Sequence, residues 1–143
     1  MNVKTILAAK GGDIIGIEPT ATLAAAAKLL NKHRIGAVVI RGAGGRLSGI
    51  LSERDIVRAM AEHGAAALDI PVGQVMTRNV MTCGENDSIA ELMERMTSGK
   101  FRHLPVLNAE QLVGVISIGD VVKMRVQEIE TDAAAMRDYI QTA

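Results

Sequence analysis

The chain repeats itself, and that repetition limits its fold more than any other feature does. Residues 22–30 read TLAAAAKLL and residues 88–96 read SIAELMERM, an offset of 66. Leu23, Ala26, Ala27 and Leu30 in the first, and Ile89, Leu92, Met93 and Met96 in the second, follow the i, i+3, i+4, i+7 spacing of one helical stripe. Gly49-Ile50-Leu51-Ser52-Glu53-Arg54-Asp55 then matches Gly114-Val115-Ile116-Ser117-Ile118-Gly119-Asp120 at an offset of 65, so one residue is lost between the matches. That loss falls where the loop GAGGR (42–46) is replaced by the shorter NAEQ (108–111). Upstream, Val3-Lys4-Thr5-Ile6-Leu7 matches Val72-Gly73-Gln74-Val75-Met76, and each is expected to be a short lead-in turn. A unit of about 60 residues barely buries a core alone, whereas two copies can cover one another.

Each copy reads as β-α-β-β-α. The first strands are expected at 14–17 and 80–83, followed by turns through Glu18-Pro19-Thr20 and Gly84-Glu85-Asn86. The first helices begin after Thr22 and Ser88, both good N-cap residues, and Ser88 with Glu91 has capping-box spacing. Strand pairs follow at 37–41 with 47–51 and at 104–107 with 112–116. Second helices start near Ser52 and Ser117. The earlier one is expected to turn Ile56, Val57, Met60 and Ala61 inward and to end at His63-Gly64. The divisions are therefore 3–64, a link at 65–71, 72–125, and a helical extension at 126–143. In that last helix Val122, Val126, Ile129, Ala133, Met136 and Ile140 form a heptad-like stripe. It fits packing against the rest of the chain, and it equally fits a subunit interface.

Composition narrows the function classes. Lys+Arg and Asp+Glu are both 16, so the chain is neutral and has no footprint for nucleic acid or for a charged membrane surface. No apolar run approaches the roughly 20 residues of a membrane helix. Phe101 and Tyr139 are the only aromatics, so aliphatic residues and Met must build the core. A single cysteine, Cys83, and an opening segment (MNVKTILAAKGGD) without a signal-peptide h-region fit the reducing cytoplasm. His33, His63 and His103 do not stand at metal-ligand spacing, so no metal is expected. GAGGR lacks the Lys-Ser/Thr of a phosphate loop and reads as a hairpin. No nucleophile–base set or carboxylate pair stands out, and no enzymatic activity is expected.

The sharpest chemical signal is Gly-h-h-Ser-x-x-Asp, present twice, where h is apolar. A strand ends, glycine lets the backbone turn closely, and a helix begins. Ser52 with Asp55, and Ser117 with Asp120, then stand at helix N-termini. A carboxylate there can accept both hydroxyls of a ribose, and the serine and backbone amides can meet a phosphate or sugar oxygen. The same spacing is also a helix-capping pattern, and one copy alone would read as that. The second signal is Lys100-Phe101-Arg102-His103-Leu104-Pro105, where the first repeat has Arg34-Ile35-Gly36-Ala37. Arg102 and His103 are thus candidates for phosphate contact in one repeat only. Arg54 is another, and its counterpart is Gly119, so the two sites should differ.

Taken together, IEPTATL (17–23), the doubled Gly-h-h-Ser-x-x-Asp, FRHLPVL (101–107) and GVISIGD (114–120) resemble the CBS domain, named after the regulatory region of cystathionine β-synthase. The resemblance covers about residues 3–125 as a tandem pair and is strongest to stand-alone bacterial CBS-pair proteins. It implies an α+β fold of two pseudo-symmetric repeats packed sheet to sheet, with ligand clefts between them, commonly assembled as a homodimer. It implies adenosine ligands, namely AMP, ADP, ATP, NAD(H) or S-adenosylmethionine, and no obligatory cofactor. By motif, Ser52, Asp55, Ser117 and Asp120 would hold ribose, Arg102 and His103 phosphate, and Ile17, Thr82 and Cys83 would lie along adenine. The expected role is a nucleotide sensor acting on an unidentified protein partner. The competing expectation is a dimeric interaction module that binds no nucleotide.

Overall fold

The computed structural model describes residues 1–11 and 13–142. It opens with α1 (Val3–Lys10), then β1 (Gly16–Ile17), α2 (Leu23–His33), β2 (Ala37–Arg41), β3 (Leu47–Ser52) and α3 (Glu53–His63). There follow α4 (Val72–Val75), β4 (Cys83–Gly84), α5 (Ile89–Gly99), β5 (His103–Asn108), β6 (Gln111–Ser117) and α6 (Ile118–Thr142). The repeats thus form two β-α-β-β-α units with two three-stranded sheets, ordered β1-β2-β3 and β4-β5-β6. In each sheet the first strand runs parallel to the second, and the hairpin is antiparallel. The hairpins even break register at equivalent places, between Ile40 and Arg41 and between Val106 and Leu107.

Local signals position these elements. Thr22, Ser52 and Ser88 each cap a helix by accepting an amide hydrogen bond from three residues on. Of the capping box expected at Ser88, the serine half is formed, with the Glu91 amide donating to Ser88 Oγ at 3.1 Å. Helices α2 and α5 both end on a basic residue in the left-handed region, Arg34 (φ 53) and Lys100 (φ 57). That reversal turns the chain straight into β2 and β5. The helical stripes are buried as their spacing predicts, with Leu23, Ala26 and Leu30 in one core and Ile89, Leu92 and Met96 in the other.

The lead-in segments are helices, and each joins the other repeat. The backbone forms two compact units, Asp13–Met81, and Met1–Gly12 together with Thr82–Ala143. Helix α1 therefore packs with the second repeat, placing Val3 and Ile6 in its core, and α4 places Val72 in the first. The attachments match bond for bond. Val3 N donates to Asp87 O (3.1 Å) and Lys4 N to Glu85 O (2.9 Å). Val72 N donates to Ala21 O (2.7 Å) and Gly73 N to Pro19 O (2.9 Å). Each set satisfies amides at the start of a helix, which have no intrahelical partner.

Two other sequence expectations change, the bounds of the first strands and the inward face of α3. The first strands shorten to Gly16–Ile17 and Cys83–Gly84, because only those residues find ladder partners on β2 and β5. The link at 65–71 begins within a 3-10 helix over Gly64–Asp69 that buries Ala67. On α3, Val57, Met60 and Ala61 are exposed, and the inward face is Asp55 and Ala59, both buried, with Ile56 half-buried beside them. The capping geometry fixes this rotation, since it turns the Asp55 carboxylate back toward Ser52. The α6 stripe, which fitted either packing on its own chain or a subunit interface, is exposed at Val122, Val126, Ile129, Met136 and Ile140.

Candidate functional site

Both motifs sit where a hairpin strand passes into a helix. The motif glycines lie within β3 and β6, and neither adopts left-handed backbone. Their purpose is close approach rather than turning. A Cβ on Gly49 would stand 2.6 Å from Met76 Sδ and 2.8 Å from Thr77 O, and one on Gly114 would stand 2.6 Å from Leu7 Cδ2. Leu7 and Met76 belong to equivalent positions of the exchanged lead-ins. The glycines thus let α1 and the end of α4 lie over the strands that carry Ser117 and Ser52.

In the Asp13–Met81 unit, Ser52 N donates to Asp55 Oδ2 at 2.9 Å and Ser52 Oγ donates to the same oxygen at 3.2 Å. Arg58 Nη1 donates to Asp55 Oδ1 at 3.2 Å. The Asp55 side chain is only 5% exposed. Arg54 lies exposed one residue before it, and Ala37 faces Ser52 across the β2–β3 ladder. An open groove of about 560 Å³ runs beside this corner, lined by Leu30, Arg34, Gly36, Ile56 and Val57 among others.

The other unit builds the same corner differently. Ser117 N donates to Asp120 Oδ2 at 2.9 Å, and the Asp120 amide donates to Ser117 Oγ at 3.2 Å. Lys10 Nζ, from α1, donates to Asp120 Oδ2 at 2.7 Å and to Val115 O at 3.0 Å. The Asp120 side chain is 27% exposed. Burial works to raise its pKa, but the Lys10 hydrogen bond, the Ser117 amide and the Lys10 charge outweigh that and hold the carboxyl below its ordinary range. His103 is the ladder partner of Ser117, and the Ile118 amide donates to Arg102 O at 2.8 Å. The register therefore gathers Arg102, His103, Ser117 and Asp120 at one corner.

The residues expected along adenine are placed less uniformly. Ile17 is half-buried in β1, paired with Ile40. Thr82 is half-buried, and its carbonyl accepts from Arg95 Nη2 at 2.9 Å. Cys83 lies within the apolar core of its unit. Burial first, and then the nearby Asp87 carboxylate against a smaller pull from Arg95, pushes its thiol up to about 12. Among the described residues no three His, Cys, Asp or Glu cluster as metal ligands. No helix among them is long and apolar enough to cross a membrane. Sequence reasoning missed Arg58 and Lys10. Arg58 was legible as the i+3 neighbour of Asp55, whereas Lys10 lies 110 residues from Asp120 and leaves no local signal.

The CBS domain model matches residues 7–62 and 72–126. The chain belongs to the CBS domain family. Its two matches are the two repeats, and CBS pairs of this kind are in general regulatory modules. A CBS-domain protein of Agrobacterium tumefaciens is 48% identical, with a TM-score of 0.84 over 87% of this chain and 92% of that one. The CBS domain pair of another protein, solved with 5′-methylthioadenosine and S-adenosyl-L-methionine, is 26% identical with a TM-score of 0.79, over 90% of this chain and 98% of that one. A Pyrobaculum aerophilum CBS domain protein complexed with AMP is 30% identical with a TM-score of 0.75, over 84% of this chain and 89% of that one. A mitochondrial CBS domain-containing protein of Arabidopsis thaliana is 32% identical over 120 residues, 81% of this chain. This chain spans 58% of that protein's length.

Proposed function

We propose that this CBS pair is a non-enzymatic sensor of adenosine-containing ligands, AMP, ADP, ATP or NAD(H). The observation that carries the reading is the single corner formed by Arg102, His103, Ser117 and Asp120. Asp120, kept ionised, accepts the ribose hydroxyls, and the Ser117 hydroxyl with the amides around it meets the remaining sugar oxygens. Arg102 and His103 take phosphate. In the other repeat Ser52 and Asp55 hold ribose, with Arg54 as the phosphate cation. Ile17 in the first repeat, and Thr82 with Cys83 in the second, are the positions proposed to lie along a base. Ligand shifts the balance of states only by its difference in affinity for them, and a cytoplasmic protein partner reads the result. The AMP and S-adenosyl-L-methionine complexes of related pairs support the ligand class.

A thermal-shift screen against AMP, ADP, ATP, NAD, NADH and S-adenosylmethionine tests it. A ligand at about 100 times its Kd adds roughly 2.7 kcal/mol, a rise of several degrees. The rise should disappear in the double variant Asp55→Ala, Asp120→Ala. A flat screen of nucleotide-free protein would remove the sensor reading.

The exposed α6 stripe favours a second reading, a homodimer, which stands with or without a ligand. Arg125 and Asp132 flank the seam on one side, Glu130 and Arg137 on the other. In a parallel, in-register pair of α6 helices Arg125 faces Glu130 and Asp132 faces Arg137, all opposite in charge. Light scattering on Ile129→Asp checks this: the mass should fall to that of one chain, and an unchanged mass would exclude the α6 seam.

A further inference from the structure

We infer that Lys10 is a phosphate-binding residue of the Asp120 site, delivered to it by α1, a role that rests on the nucleotide reading above. Lys10 Nζ is 2.7 Å from Asp120 Oδ2, the oxygen that also accepts the Ser117 amide at 2.9 Å. A ribose bound at this carboxylate brings two O–H donors to it. The sugar then shares the negative charge that Lys10 now holds, and the ammonium gains by meeting a second anion.

Its reach allows that. Lys10 is 39% exposed at the last residue of α1, and an ammonium on a flexible four-carbon stem can re-aim its three donors as a point charge. The ligand's own phosphate is the anion at hand, because Arg102 and His103 border the same corner. One carboxylate for sugar and three basic side chains for phosphate make a site for a phosphorylated ribonucleoside. The other unit lacks this arrangement. Following α4 to the position equivalent to Lys10 reaches Asn79, which has no charge. Asp55 is instead closed in by Ser52 and by Arg58 of its own helix. Preference for phosphate should therefore reside at Asp120.

Isothermal titration of AMP and of adenosine into wild type, Lys10→Met and Lys10→Arg tests the assignment. Lys10→Met should weaken AMP about tenfold and leave adenosine within about twofold, and Lys10→Arg should retain most of the AMP affinity. Unchanged or tighter AMP binding in Lys10→Met overturns the assignment. So does equal weakening of both ligands, which would make Lys10 a brace for α1. A wild type that binds adenosine as well as AMP overturns the role of Lys10 alone, and one that binds neither of these nor any nucleotide of the thermal-shift screen overturns the nucleotide reading with it.

Discussion

The two Gly-h-h-Ser-x-x-Asp corners share one backbone and differ in what surrounds the aspartate. Asp55 is almost wholly buried, and both its oxygens are engaged by Ser52 and by Arg58 of the same helix. Asp120 is partly exposed and is held by a lysine that arrives from the far end of the chain. A doubled motif therefore fixes where carboxylates stand without making them equivalent. At Asp55 the carboxylate is taken up by capping and by Arg58, and at Asp120 a carboxylate is held below its ordinary pKa range near solvent.

The motif glycines offer the largest break in that symmetry. Gly49→Ala drives a Cβ against the backbone carbonyl of Thr77 as well as Met76, whereas Gly114→Ala meets only the side chain of Leu7. Urea unfolding should show a loss of about 3 kcal/mol for the first and about 1 kcal/mol for the second. Equal losses would mean that the two lead-ins are equally able to move. Next come the aspartates. Asp55→Ala removes a reciprocal capping box and leaves the Ser52 amide without its acceptor, for about 2 kcal/mol, and Asp120→Ala should cost about half that.

The pH dependence sharpens the contrast further. The folded pKa of Asp120 is depressed, so its contribution is fully present above the unfolded value of about 3.9 and is lost as pH falls through the lower folded value. Lys10→Met should shrink the depression and flatten the stability profile below about pH 4. The smallest effect lies in the hairpins. The turn joining β5 to β6 places Ala109 (φ 50) and Glu110 (φ 67) in the left-handed region, while the longer loop of the first repeat uses Gly44 and Gly45 there. Replacing Ala109-Glu110 by Asn-Gly should raise the melting temperature, with a gain of at most about 1 kcal/mol.

Periodicity and caps made most of the fold legible. The stripes of α2 and α5, the N-caps Thr22, Ser52 and Ser88, and both hairpins follow from residues close in sequence. The inward face of α3 did not follow, because Val57 and Met60 are apolar yet the helix is rotated by a carboxylate that binds back to its own N-cap. The lead-ins were recognisable as equivalent, but not as exchanged. Nothing in Val3–Leu7 says which of two similar sheets it will cover. Lys10 was invisible for the same reason, since its partner is fixed only once α1 lies over β6.

The exchange of lead-ins also decides how the molecule answers to force. The unit that contains Thr82–Ala143 also contains Met1–Gly12, and Asp13–Met81 enters that unit's sequence as an insert. A pull applied between α1 and α6 is borne first by the attachment of α1 to its own sheet. The inserted unit carries no tension until that attachment has torn away. On the ribosome the order runs the other way: Asp13–Met81 can close as soon as it emerges, while α1, made before it, must wait for β6.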